Sequence, residues 1–129
     1  MVSGGCNERF RTRTVEVYDH VADDWSILTR MNAPRTNHSM LAVRSKLFVF
    51  GGETCEVFDS VSGKFANLHA KAPMLEPSKC VQIGSKVILF KNKSTVAYVY
   101  DIDEGELETV ECEVTRIIYD YCCVKVPKL

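Results

Sequence analysis

The sequence lacks the segments that direct a chain into or across a membrane. No apolar run reaches the roughly 18 residues of a membrane-spanning helix, and the opening stretch, MVSGGCNERF, lacks the apolar core of a signal peptide. The formal net charge of −1 gives no general attraction to nucleic acid or to anionic membranes. We therefore expect a cytoplasmic or nuclear protein with no nucleic-acid partner and no membrane partner.

The sequence also has little that could hold a metal or a cofactor. None of the six cysteines lies in a CxxC pair, and the three histidines are not clustered with them, so a zinc site is not expected. No GxGxxG or Walker phosphate-binding pattern is present. We expect no cofactor, no metal and no catalytic residue. Cys55, Cys80 and Cys122 lie in apolar stretches, which favours small buried side chains in a reducing compartment.

The sequence contains three copies of one short motif. VEVYDHVADDW at 15–25 is followed by CEVFDSVSGKF at 55–65 and by AYVYDIDEGEL at 97–107. The first two units overlay at an offset of 40 over residues 15–50 without a gap, and the third follows at an offset of 42. A period of about 40 to 50 residues is typical of a propeller or a solenoid.

The pattern within each unit favours a propeller over a solenoid. Short stretches rich in β-branched and aromatic residues alternate with turn formers, and no stretch carries a sustained helical apolar stripe. Each repeated phrase predicts a hairpin, in which an aspartate ends one strand and accepts hydrogen bonds from the turn. The predicted strands lie near 40–44, 46–50, 55–59, 64–68, 79–83, 86–90, 96–100 and 106–110. Four strands per unit is the number in one propeller blade.

The repeat resembles the Kelch motif, which combines a glycine pair, Tyr-Asp, Trp, Met and Pro-Arg in that order. The second unit keeps the aromatic-Asp pair with Phe in place of Trp, and the third has Leu107 at that position. The residues that carry the resemblance are Gly4, Gly5, Tyr18, Asp19, Trp25, Met31, Pro34, Arg35, Gly51, Gly52, Phe58, Asp59, Phe65, Tyr100 and Asp101.

The resemblance implies an all-β fold, a partial Kelch β-propeller. It has about two complete four-stranded antiparallel blades, at 35–70 and 74–112, flanked by incomplete ones. Residues 1–30 are expected to form the outer half of a blade and 117–129 a closing strand, as in the C-terminal part of a propeller. Trp25 is expected to pack between its own blade and the next, so that Trp25→Ala costs roughly 3–5 kcal/mol.

Among Kelch proteins, the chain is most similar to the BTB-Kelch group. In that group BTB and BACK domains bind a cullin, and the propeller captures a protein substrate for ubiquitination. No BTB or BACK sequence lies in these residues, so a cullin contact is not expected of them. Kelch proteins that bind actin are an alternative. An enzyme resembling galactose oxidase is disfavoured, because His20, His38 and His69 fall at unlike positions in the repeat.

Partners of such propellers usually dock on loops at one face, which here are 6–14, 32–38, 51–54, 73–78 and 91–95. Their basic and hydrogen-bonding side chains suit an acidic peptide. The alternative interpretation is that these side chains are ordinary solvated loop charges. For Arg35 a second alternative is a structural role in the repeat. The expected binding residues are Arg9, Arg11, Arg13, Arg35, Asn37, His38, Glu53, Lys91 and Lys93.

Two further expectations concern the edges of the molecule. The acidic stretch at 101–113 is read as a solvated outer hairpin with its charges on one face, with calcium binding or acid-base chemistry as the less favoured alternatives. Strands before residue 40 and after residue 110 lack partners, so the isolated chain is expected to be unstable or to self-associate.

Overall fold

A computed structural model describes residues 1–5, 10–52, 54–68, 77–91 and 94–111 of the chain. These residues form strands joined by turns and loops, and none of them lies in a helix. No helix that could cross a membrane is therefore found in this part of the chain. The strands are β1 (Val2–Ser3), β2 (Thr14–Asp19), β3 (Asp24–Arg30), β4 (Ser39–Val43), β5 (Lys46–Phe50), β6 (Cys55–Asp59), β7 (Lys64–Leu68), β8 (Pro77–Ile83), β9 (Lys86–Lys91), β10 (Val96–Asp101) and β11 (Leu107–Glu111).

The strands form three antiparallel sheets, in each of which neighbours in sequence are neighbours in space. The first sheet has the order β1-β2-β3, the second β4-β5-β6-β7 and the third β8-β9-β10-β11. All eight predicted strands are present, each with ends within two residues of the prediction. The all-β fold with four-stranded antiparallel sheets is thus confirmed, and it is consistent with partial Kelch propeller blades. The predicted closing strand at 117–129 lies outside the described residues.

The repeated phrase folds as the hairpin that the sequence predicted. At the β6–β7 turn, the Asp59 carboxylate accepts hydrogen bonds from the backbone N–H groups of Val61 at 2.8 Å and Ser62 at 3.0 Å. Gly63, at φ 69°, donates its own N–H to the Asp59 carbonyl at 2.8 Å. Asp19 and Asp101 accept the same pair of backbone bonds in the other two hairpins. An aspartate directly before the turn therefore accepts hydrogen bonds from the backbone two and three residues further on, and this local acceptor ends each strand.

Two apolar clusters hold the sheets together. Because side chains alternate along a strand, Leu47 and Val49 of β5 join a cluster with Val15 of the first sheet, while Phe48 and Phe50 face the third sheet. The first cluster also contains Met31 and Phe58, and the second contains Val43, Cys55, Val87, Leu89 and Tyr100. The second sheet is therefore buried on both faces, which explains the continuous apolar run of β5.

Trp25 does not lie where the sequence analysis placed it. Its counterpart Phe65 packs on the cluster between the second and first sheets, so this repeat position faces the preceding sheet. In the first sheet the same position faces away from the second sheet, and Trp25 is 50% exposed. Its ring contacts Tyr18 on the paired strand, with centroids 5.3 Å apart. The predicted burial against the next blade is wrong, although the predicted hairpin is correct.

Candidate functional site

The candidate site is built on the junction between the first and second sheets, where the linker 31–38 runs from β3 to β4. Backbone hydrogen bonds fasten this linker to the loop between β1 and β2. The Arg35 carbonyl accepts a bond from Gly5 N at 2.8 Å, and Arg35 N donates to the Thr12 carbonyl at 3.2 Å. Met31 N donates to the Arg13 carbonyl at 2.8 Å. These bonds join the linker to residues 4–5 and 10–13 of the β1–β2 loop, and we call these segments together the junction rim.

Arg35 lies inside the junction rim and not on its surface. The residue is 3% exposed, and its guanidinium contacts the carboxylate of Glu56 at 2.5 Å. It also donates to the backbone carbonyls of Gly51 and Thr54 and, at 2.7 Å, to the Thr54 hydroxyl. These bonds occupy the donors that a partner would need, so the structural reading of Arg35 replaces its predicted place among the partner-binding residues.

Glu56 completes this buried ion pair and was missed as a functional residue by sequence reasoning. Its side chain is 0% exposed, and its carboxylate also accepts hydrogen bonds from Asn32 N at 2.7 Å and Ala33 N at 3.3 Å. A buried carboxylate needs such partners because its desolvation is costly. Two features of the sequence could have indicated the ion pair. Glu56 is an acidic residue in the interior of the strand CEVFD, next to apolar residues, and Arg35 lies in the preceding linker.

His38 lies in the junction rim and approaches the first glycine of each pair, Gly4 and Gly51. Its Nε2 lies 2.7 Å from the Ser3 hydroxyl. A Cβ on Gly4 would lie 2.5 Å from His38 Cε1, and a Cβ on Gly51 would lie 2.9 Å from His38 Cα. Both glycines also have positive φ, of 63° and 130°. The glycines are therefore required by the close approach of His38, which the sequence alone did not indicate.

The surroundings of His38 favour its neutral form. Burial lowers the pKa of His38, and the positive charge of Arg35 lowers it further, while the contact with Ser3 acts in the opposite direction. Its Nδ1 is buried and has no hydrogen-bond partner among the described residues. His38 is partly buried and contributes to the packing of the junction.

Other predicted binding residues remain exposed. Arg11 and Arg13 lie in the β1–β2 loop and Asn37 in the linker, and the backbone bonds described above bring these two segments together. Lys91 is the last residue of β9. It stands at the repeat position of Gly51, which follows β5 in the second sheet. Arg9, Glu53 and Lys93 lie outside the described residues. Among the described residues of the rim, the exposed charged groups are Arg11 and Arg13, and both are basic.

The acidic stretch does not place its charges on one face. Glu108 and Glu111 are an odd number of positions apart on β11, so their side chains leave opposite faces of the sheet. Glu108 lies 3.7 Å from Lys86, and Asp103 lies 3.5 Å from Arg44, all with exposed side chains. No group of three or more His, Cys, Asp or Glu side chains able to hold a metal ion is found in the described parts of the chain.

The aromatic and cysteine positions of the repeat are structural. Phe58 contacts Phe65 with ring centroids 5.2 Å apart, and Tyr100 packs on Phe48 and Phe50. Cys55 is buried as predicted and Cys80 is partly buried, and both are free thiols whose pKa is raised by burial. Cys122 lies outside the described residues.

Comparison with known proteins agrees with this architecture. Residues 1–32 match the Kelch motif. The chain is 40% identical over 52 residues to the influenza virus NS1A-binding protein homolog of Mus musculus, and 38% identical over 52 residues to the influenza virus NS1A-binding protein of Homo sapiens. The matched residues are 40% of this chain and 8% of each relative, so the chain spans only a small part of these proteins. Together with the four-stranded sheets, these partial matches support the presence of Kelch repeats in this chain.

Proposed function

We propose that this chain is the substrate-recognition part of a BTB-Kelch adaptor for a cullin-RING ubiquitin ligase. Kelch repeats generally mediate protein-protein interaction, and the repeat style is most similar to that of the BTB-Kelch group. In that group the cullin is bound by the BTB and BACK domains, so the role proposed for these residues is capture of a protein substrate. We propose no catalytic activity for them, and we place the protein in the cytoplasm or nucleus, in keeping with the free thiols of Cys55 and Cys80.

The observation that carries the proposal is the exposed basic edge of the junction rim. Arg11 and Arg13 are exposed on a loop whose backbone is hydrogen-bonded to the linker at Thr12 and Arg13. Backbone hydrogen bonds of this kind reduce the conformational entropy that a loop loses on binding, and exposed arginines favour an acidic segment. The substrate segment proposed for this site is therefore an extended acidic peptide.

The proposal is tested by titrating the full chain into a fluorescein-labelled oligoglutamate peptide and measuring fluorescence anisotropy. We expect saturable binding that weakens with added salt, because exposed charges are screened. Arg11→Glu with Arg13→Glu should weaken the affinity at least about tenfold, equivalent to ~1.4 kcal/mol. Arg44→Glu is the matched control, since Arg44 is an exposed arginine in the β4–β5 turn, at the opposite end of the second sheet from Gly51.

Equal binding by the double variant and the native chain would refute the basic edge as the site. Co-sedimentation of the native chain with actin filaments would favour the structural alternative over the adaptor. Retention of a cullin by the purified chain would contradict a role limited to substrate capture.

A further inference from the structure

The first five residues, which we call the N-terminal segment, are held to the rest of the chain by a short backbone pairing. Strand β1 pairs with β2 over two residues. Beyond this strand, Gly4 N donates to the Thr14 carbonyl at 3.0 Å and Gly5 N donates to the Arg35 carbonyl at 2.8 Å. A pairing of this length is marginal by itself, so the side chains that contact the segment decide how firmly it is held.

His38 is the side chain that contacts the segment from the linker. Its Nε2 lies 2.7 Å from the Ser3 hydroxyl, and its ring passes so close to Gly4 that a Cβ there would lie 2.5 Å from Cε1. The same residue approaches the second sheet, because a Cβ on Gly51 would lie 2.9 Å from His38 Cα. His38 therefore links the N-terminal segment to the end of β5.

The surroundings of the imidazole suit its neutral form and not its protonated form. Neutral imidazole carries one N–H, which at Nε2 can be donated to the Ser3 hydroxyl and leaves Nδ1 as an acceptor only. Protonation adds an N–H at Nδ1, which is buried and has no hydrogen-bond partner among the described residues. A buried donor without an acceptor is costly, and so is a charge removed from water.

The charged groups near His38 do not offset this cost. Burial lowers the pKa of His38 from its ordinary value of 6.5, and the positive charge of Arg35 lowers it further. The carboxylate of Glu56 is already bound to Arg35 and to two backbone N–H groups. The described part of the β1–β2 loop adds two exposed arginines, Arg11 and Arg13, which have the same sign of charge as imidazolium. The residues that meet His38 from β1 and from the end of β5 are not ionisable: Ser3, Gly4 and Gly51.

We propose that His38 is a pH-sensitive switch, which holds the N-terminal segment against the linker while the imidazole is neutral and releases it when the imidazole is protonated. On protonation the side chain turns into water, where both N–H groups are solvated, and its contact with Ser3 is lost. The Gly5 carbonyl accepts a hydrogen bond from Thr12 N at 2.9 Å, so release of the segment also loosens the loop that carries Arg11. The inference rests on the geometry of the junction and not on the proposed substrate.

The direction of the pH dependence follows from the two states of the switch. In the released state the pKa of His38 returns to its ordinary value of 6.5, and in the held state it is lower. The held state is therefore favoured in full above pH 6.5, and it is progressively lost as the pH falls from 6.5 through the lower pKa.

The test is amide hydrogen exchange of the full chain, measured by NMR. The N–H groups of Gly5 and Thr12 report on the switch, because they bind the carbonyls of Arg35 and Gly5. Rates are corrected for the intrinsic effect of pH on exchange. Between about pH 7.5 and about pH 5.5, the protection of both amides should fall at least about twofold and at most about tenfold, the limit set by one pH unit below 6.5.

Matched variants assign the effect to His38. His38→Asn should abolish the fall in protection, and His38→Gln is a second non-ionisable variant if the first does not fold. His20→Asn is the control, since His20 is exposed in the β2–β3 turn, and it should leave the fall unchanged. A fall below about twofold in the native chain, or one that persists without an ionisable group at position 38, would overturn the switch.

A comparison with the core shows whether the opening is local. The slowest amides of β5 report on global unfolding, and Gly5 and Thr12 should exchange at least about tenfold faster than these at the lower pH. Their rates should also be nearly independent of dilute urea, because a local opening exposes little surface. Exchange of Gly5 and Thr12 at the rate and urea dependence of the β5 amides would mean that only global unfolding releases the segment, and the proposal would then be wrong.

Discussion

Replacing Arg35 by methionine should destabilise the chain more than any surface substitution. Methionine keeps much of the apolar stem of the arginine, so the change chiefly removes the charge and its hydrogen bonds. The Glu56 carboxylate, 0% exposed, then keeps only the N–H groups of Asn32 and Ala33. It is left as a buried anion without a counterion.

The magnitude follows from the burial of both partners. Removing one member of a buried ion pair typically costs about 3–5 kcal/mol, and the side chains here are 1% and 0% exposed. The carbonyls of Gly51 and Thr54 lose their donor as well, which adds to the cost. Since a domain of this size has a stability of about 5–15 kcal/mol, Arg35→Met should bring the chain close to its unfolding threshold.

The assay is equilibrium unfolding in urea, followed by far-ultraviolet circular dichroism. Arg44→Met is the control, because it makes the same change at a side chain that is 75% exposed and 3.5 Å from Asp103. A surface ion pair of this kind contributes about 0–1 kcal/mol. The free energy of unfolding should therefore fall by several times more for Arg35→Met than for Arg44→Met.

A double-mutant cycle between Arg35→Met and Glu56→Gln isolates the interaction itself. With the carboxylate neutralised, loss of the arginine should cost at least about 1.5 kcal/mol less than it does in the native chain. Equal losses for Arg35→Met and Arg44→Met, or an additive cycle, would refute the assignment of Arg35 and Glu56 as the pair that holds the junction.

Five other substitutions, in three comparisons, test the packing, the backbone and the charge state of the junction. Phe58→Ala should cost about 3–5 kcal/mol in urea unfolding, whereas Trp25→Ala, at a half-exposed ring, should cost only about 1 kcal/mol; equal costs would contradict the direction of the faces. Gly84→Ala, where a Cβ meets nothing within 4 Å, should cost about 1–2 kcal/mol of backbone strain, and Gly4→Ala should lower the melting temperature further because its Cβ would lie 2.6 Å from the Arg35 carbonyl oxygen. Folding lowers the pKa of His38 from its ordinary value of 6.5. Below pH 6.5 the imidazole is therefore protonated more readily in the unfolded chain than in the folded chain. Stability should accordingly fall as the pH drops through 6.5, and a chain carrying His38→Asn should lose less stability over that range.

The local structure could be predicted from the sequence because its causes are local. An aspartate followed by a turn and a residue at positive φ closes each hairpin with bonds inside four or five residues, as at Asp59 and Gly63. Alternation of apolar residues likewise predicted the strands of the second and third sheets to within two residues. The exposed basic residues Arg11 and Arg13 follow from the same kind of evidence, since charged residues in loops stay in water.

The tertiary structure decided which neighbour each face meets. A period of two shows that a strand has two faces, but it does not say which face meets the preceding sheet, and Trp25 was therefore assigned to the wrong side. Arginine side chains usually lie at the surface. Arg35 is buried because Glu56, on a strand of the second sheet, provides its counterion. The glycine at position 4 is explained in the same way, by the close approach of the Arg35 carbonyl and the His38 side chain. Such contacts join residues 20 or more positions apart, and no local pattern in the sequence encodes them.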